Sequence, residues 1–136
     1  MTLFNNATWL TVLLAMAAGG CSAKSEFEMA QARGIVLVKG QPVAEIAVVL
    51  HPEKGPQSFG VTDAHGQFEM TTLTPGDGAL VGEHKVTLVW TDPKATYKGP
   101  SGPSPIPERY SLPATSQLTT VIIAGQKNEL TFRVND

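Results

Sequence analysis

No charged residue precedes Lys24, and the 136-residue chain contains a single cysteine, Cys21. One cysteine excludes an intrachain disulfide, so stability has to come from the core. The 10 basic and 12 acidic residues all lie beyond Cys21 and are interspersed, to a net charge of −2. With neither a basic stripe nor an acidic tail, a nucleic-acid-binding surface is not expected. Histidine is scarce as well: His51, His65 and His84 include no HExxH or similarly spaced pair. A catalytic zinc site needs three converging protein ligands, so neither a metal nor another cofactor is expected. No Gly-x-Ser-x-Gly elbow announces a hydrolytic nucleophile. Helix-forming periodic runs are missing, whereas 13 glycines and 10 prolines punctuate the chain. That balance predicts an all-β fold with many turns.

What the N-terminus does hold is an uncharged apolar run from Leu10 to Gly20, followed by Cys21-Ser22. It falls short of the roughly 20 apolar residues of a spanning helix and reads as a secretory signal. Small residues directly before a cysteine resemble the lipobox of bacterial lipoproteins. The resemblance implies that residues 1–20 are removed and that Cys21 becomes a lipidated first residue, carrying acyl chains of the palmitate type. Two or three such chains hold a protein stably on a membrane, where one does so marginally. The alternative is an ordinary secretory leader, cut between Ala17 and Gly20, with Cys21 a bystander. Residues 21–32 are polar and mixed, and read as a tether; a single domain is expected over 33–136.

Strand-like runs recur at short intervals through that domain. Ile35–Val38 ends at Lys39-Gly40-Gln41-Pro42, a turn signal, and Ala44–Leu50 is apolar on both faces, as expected of an interior strand. Ser58–Thr62 and Gln67–Thr72 read as a hairpin around Asp63-Ala64-His65-Gly66, a sequence suited to a type I turn. After turn-rich residues 73–82, Glu83–Trp90 alternates, with His84, Val86, Leu88 and Trp90 on one face. Six prolines then mark residues 91–117 as a long loop, functional or mobile. A second hairpin is predicted from Leu118–Ala124 and Asn128–Val134 around Gly125-Gln126-Lys127. Seven short strands separated by turns predict a β-sandwich.

Several segments resemble the carboxypeptidase regulatory-like domain, a transthyretin-like (prealbumin-like) seven-stranded Greek-key sandwich. They are Gly34, Gly40-Gln41-Pro42-Val43-Ala44, Thr62-Asp63-Ala64-His65-Gly66-Gln67-Phe68, and Pro75-Gly76-Asp77-Gly78 leading to Gly82-Glu83-His84-Lys85-Val86. Ile106-Pro107-Glu108-Arg109-Tyr110, with Pro113-Ala114-Thr115-Ser116 and Leu118, is similar to short exported lipoproteins of the planctomycete type. The likeness covers about Gly34 to Val134. His84 stands where relatives most often carry tyrosine, and is expected to be a partly buried edge residue rather than a catalytic one.

The resemblance implies no catalysis, because metallocarboxypeptidases carry this sandwich only as an accessory beside a separate catalytic domain. The 5-hydroxyisourate hydrolases share the fold, but their closing Tyr-Arg-Gly-Ser is replaced here by Phe132-Arg133-Val134-Asn135-Asp136. The expectation is a non-enzymatic module, anchored in the cell envelope through lipid on Cys21. It would sit on the periplasmic face of the outer or cytoplasmic membrane, or at the cell surface. Ser22 in place of Asp after the lipid cysteine mildly favours the outer membrane. The partner would be an envelope protein, met by an edge strand or by the proline-rich loop. Tyr97, Lys98, Arg109 and Tyr110 are the contact candidates, though Tyr110 could equally pack the loop onto the sheet. The alternatives are a carbohydrate-binding module, with Trp90 and Tyr97 as a stacking platform, and a transthyretin-like hydrolase. A cluster of His51, His65 or His84 with carboxylates would point to an enzyme, of a type the sequence does not name.

Overall fold

The computed structural model describes residues 26–135, so the leader, Cys21 and the first part of the tether lie outside the described residues. The domain is all-β. Its strands are β1 (Met29–Ala30), β2 (Ala32–Val38), β3 (Gln41–Pro42), β4 (Ile46–Pro52), β5 (Ser58–Val61), β6 (Gln67–Glu69), β7 (Ala79–Leu80), β8 (Gly82–Trp90), β9 (Leu118–Ile122) and β10 (Asn128–Val134). Among the described residues there are thus ten strands in three sheets, rather than the seven expected. The additions β1, β3 and β7 have two residues each, too short to leave an alternating pattern. Met29 and Ala30 also show that the segment read as tether already contributes to the sheets.

One sheet is built on β2, with β10 parallel on one side and β6 and β3 antiparallel on the other. The second runs β5-β4-β8-β9, all antiparallel. Alternation decides which side chains meet between them. Val36 and Val38, Val48 and Leu50, Val86 and Leu88, and Phe132 and Val134 are all buried in one core. Phe68 stacks on Phe132 with ring centroids 5.9 Å apart. Gly34 permits the β2–β10 contact, because a Cβ there would lie 2.1 Å from the Leu130 carbonyl oxygen. Lys39 and Gly40 both have positive φ, the requirement of the tight two-residue turn that joins β2 to β3.

Neither predicted hairpin forms. β5 belongs to the sheet of β4, while β6 pairs with β2. The turn between them is as read, with the Gly66 amide donating to the Asp63 carbonyl at 2.9 Å. Its arms diverge, however, and meet again only at the Phe59–Thr71 bridge. Likewise β9 pairs with β8, and β10 with β2. Each connection is an arch carrying the chain from one sheet to the other. Asn128 pins the second arch: its buried amide accepts from the Ile123 amide at 2.9 Å and donates to the carbonyls of Ile123 and Gln31 at 3.1 Å.

The sheets give the domain two ends. The chain enters beside the start of β8, where the Val81 amide donates to the Glu28 carbonyl at 2.9 Å. Nine residues of β8 then run to Trp90, roughly 27 Å at strand rise. The proline-rich segment 91–117 caps that far end. It is more structured than a loop, with a 3-10 turn at Glu108–Ser111 and a short helix at Pro113–Ser116. Ile106 and Tyr110 from this segment join the core. Ser116 is buried and donates to the Val86 carbonyl at 2.6 Å, which fixes the end of the segment on β8.

Candidate functional site

At the far end, the contact candidates separate. Tyr110 is only 3% exposed, so its ring is core and is withdrawn from the candidate surface. Arg109 belongs to the same local packing: its guanidinium lies 4.3 Å over the Tyr110 ring, and Nη2 donates to the Tyr110 hydroxyl at 2.7 Å. Tyr97 is 95% exposed, and the Lys98 ammonium sits 5.8 Å over its ring. This pair forms the tip of a closed turn, in which Thr96 and Gly99 exchange both amide hydrogen bonds at 3.0 and 2.8 Å.

Asp92 clasps the base of that turn. One carboxylate oxygen accepts from the Lys94 amide at 2.8 Å, and the other from the Ser101 amide. The Ser101 hydroxyl and amide, against the opposing effect of burial and with help from the Lys94 amide, hold the Asp92 carboxyl below its usual range. A short backbone loop is thereby closed by a charged acceptor rather than by packing. Trp90 is half-buried against the core, over a shallow groove of about 300 Å³ with Pro100, Ile106 and Pro107. It is not an open platform beside Tyr97.

The end where the chain enters carries a larger cleft of about 780 Å³, which brings together His51 and His84 with Glu53, Glu83, Lys54 and Lys85. His65 stays in its turn between β5 and β6, away from this group. His84 is 2% exposed on β8, between β4 and β9, so it is a buried interior residue and not the partly buried edge residue expected. Its Nε2 lies 2.7 Å from the Leu80 carbonyl oxygen. A carbonyl can only accept, so Nε2 carries a proton, and in the neutral ring Nδ1 is the acceptor. That Nδ1 is buried and has no hydrogen-bond partner among the described residues.

His51 differs from it in being fully engaged. The Gln57 amide nitrogen lies 2.9 Å from Nδ1, and the Thr87 hydroxyl 2.8 Å from Nε2. With the amide nitrogen donating to Nδ1, Nε2 carries the proton and donates to Thr87. That polarity is the reverse of a base activating a hydroxyl nucleophile. Burial, and after it the neighbouring His84, lower the His51 pKa below the usual histidine value. Among the described residues, no group of three or more His, Cys, Asp and Glu is placed to hold a metal ion.

The histidines are scattered along the sequence, and the fold brings His51 and His84 to one end of a sheet, on its opposite faces. The signal was the pairing of β4 with β8, which sets Pro52 opposite His84 and His51 opposite Lys85. No helix among the described residues is long and apolar enough to cross a membrane. No family model, curated protein or solved structure matches the chain.

Proposed function

We propose that this chain is a non-catalytic, lipid-anchored module of the cell envelope, held by Cys21 and presenting the Tyr97–Lys98 turn to an envelope partner. The supporting observation is the polarity of the domain. The backbone enters at Glu28 beside Val81, and the one almost fully exposed aromatic ring among the described residues sits on a clasped turn beyond the other end of β8. Only residues 22–26 separate Cys21 from Phe27, six Cα steps with a reach of at most roughly 21 Å at full extension. An anchor that short keeps the entry end near the lipid and turns residues 91–117 outward. A preformed turn loses little freedom on binding, and tyrosine is among the side chains most enriched at the centres of interfaces.

The finer fold reading, a transthyretin-like Greek-key sandwich of the carboxypeptidase regulatory-like type, is part of the same proposal. It is supported by the division into β10-β2-β6 and β5-β4-β8-β9 and by the two arches that cross between them. The test is the intact mass of the membrane-extracted full chain, expressed in its native host beside a Cys21→Ser variant. A diacylglyceryl or triacyl increment on Cys21 with the leader removed, absent from the variant, is the expected result. A free thiol on a chain cut elsewhere would make this a soluble exported domain and remove the anchored reading.

A further inference from the structure

β5 and β9 form the two edges of the four-stranded antiparallel sheet, and they differ in how they are guarded. At β5, Phe59 and Thr71 exchange amide hydrogen bonds at 2.9 Å, which occupies that edge. On the far side of β9 no strand pairs among the described residues. Natural sheet edges are protected by charge, by proline or by a bulge. The other sheet follows that rule at its β10 edge, which carries Glu129 and Arg133. Leu118-Thr119-Thr120-Val121-Ile122-Ile123 has no charged residue and no proline.

The phase of the ladder decides which backbone groups β9 leaves free. The Thr91 amide donates to the Glu45 carbonyl at 2.7 Å, one step beyond the Ile46–Trp90 pair. Hydrogen-bonded and non-bonded pairs alternate in an antiparallel ladder. Lys85, Thr87 and Val89 therefore turn their amides and carbonyls to β4, while His84 and Val86 turn theirs to Thr120 and Leu118 of β9. The Ser116 hydroxyl, reaching the Val86 carbonyl at 2.6 Å from just before β9, agrees with that phase. Thr119 and Val121 are left with amide and carbonyl facing outward, and both residues are exposed. Ile123 would come next, but Asn128 already takes its amide and carbonyl at 2.9 and 3.1 Å.

A second β9 satisfies all of these free groups in one register. Opposed side chains share a face, so the sheet continues only if a two-fold passes through a residue rather than between two. A two-fold at Val121 would set Thr119 against Ile123, whose groups are taken, and Glu83 in line with Glu83. One at Thr119 would set Val121 against Gln117, whose φ of +57° is not that of a strand. At Thr120, Thr119 exchanges both hydrogen bonds with the second copy's Val121, and Val121 with its Thr119. Each row then runs from Lys85 and Thr119 to the second copy's Val121 and Glu83, with opposite charges at its ends. We propose that β9 pairs antiparallel with β9 of a second copy of this chain about a two-fold at Thr120, joining two four-stranded sheets into one. The proposal goes beyond the anchored-display reading and does not rest on it. The copies run head to tail, so their entry ends point opposite ways. Copies standing upright on one membrane could not pair so; the pairing joins chains from facing surfaces, or chains that carry no lipid.

The test follows the full chain in detergent, under reducing conditions, by sedimentation velocity and amide hydrogen exchange over a dilution series. A reversible monomer–dimer equilibrium is expected, with the Thr119 and Val121 amides protected in the dimer and released on dilution. The Thr120 amide, which faces His84, should stay protected throughout. Val121→Pro removes one outward N–H per copy, a change that an edge strand tolerates. It should melt close to the wild type and weaken the dimer roughly thirtyfold, two hydrogen bonds at their usual net worth. In a Cys21→Ser chain, Thr120→Cys should close a disulfide across the two-fold on oxidation, since the Cα atoms of such a non-bonded pair lie about 4.5 Å apart. Thr119→Cys, set against Val121, should not. A dimer that leaves Thr119 and Val121 exchanging freely, or that does not cross-link at position 120, would overturn the proposal. So would a chain that stays monomeric at every concentration, even one whose edge an added extended peptide protects.

Discussion

Gly78→Ala should detach the entry strand from the domain. Gly78 has φ of +92°, and an L-residue in a left-handed conformation costs about 1–2 kcal/mol. An added Cβ would also lie 1.9 Å from the Ala30 carbonyl oxygen and 2.8 Å from Gln31 Cα. These are backbone atoms that cannot rotate away, and forced overpacking of this kind costs about 1–3 kcal/mol. Together the penalties reach about 2–5 kcal/mol, against a total stability of about 5–15 kcal/mol for a domain. The cheaper escape is to release β1, which is held by the Met29–Leu80 and Ala30–Ala79 pairings and by the Val81 amide on Glu28. Urea denaturation of the full chain should therefore show a lowered midpoint. Hydrogen exchange should show protection at the Val81 amide lost beyond the global change. Gly102 is the control, because its φ is not left-handed and a Cβ there meets nothing within 4 Å; Gly102→Ala should lose no stability. A Gly78→Ala midpoint within about 0.5 kcal/mol of wild type, with Val81 still protected, would refute the reasoning.

Asn128→Ala should lower unfolding stability by about 2–4 kcal/mol, since it strands the Ile123 amide and the Ile123 carbonyl at the second arch; a change under about 1 kcal/mol in urea would count against that arch as a pinned feature. Acidification should destabilise the domain in two steps. His51 has a lowered pKa, so the unfolded chain takes up its proton first, and stability is lost as pH falls through the ordinary histidine value of 6.5 toward the folded value. His51→Gln should remove that first step in a melting series against pH, and an unaltered step would show that another group carries it. Asp63 and Asp92 also have lowered folded pKa values, so their contribution is present above the ordinary value of 3.8 and is lost below it. The second step should accordingly persist in His51→Gln.

The positions of the longer strands were legible because period-two alternation is a local property. β8 and β10 show it plainly, with burial alternating residue by residue along all seven positions of β10. Which sheet a strand joins is not local. Asp63-Ala64-His65-Gly66 has the chemistry of a hairpin turn and makes the bonds of one, yet the strands on its two sides join different sheets, β5 pairing with β4 and β6 with β2. Alternation assigned His84 to the face of Val86 and Leu88, which is where it lies. Its full burial came from β9 covering β8 on the other side. Between contact surface and packing the sequence leaves Tyr110 undecided, because it sits in a 3-10 turn, outside any periodic run, and its burial depends on the path of the whole 91–117 segment. The meeting of the His51 and His84 ends could be read only once β4 was known to pair with β8. The leader and Cys21 lie outside the described residues, and their reading rests on the sequence alone.

The parallel contact between β2 and β10 joins Ala32 to Asn128 and Val38 to Val134, nearly the full span of the domain. Its consequence is temporal. A chain that emerges N-terminus first has made β2 long before the strand that closes that side exists. Until β10 arrives, the apolar Ile35-Val36-Leu37-Val38 segment offers an unpaired edge to whatever is nearby. Closing so large a loop comes late in folding and slows it. Until then the domain behaves as an open chain that needs shielding, and it becomes a closed body only when β10 has been made.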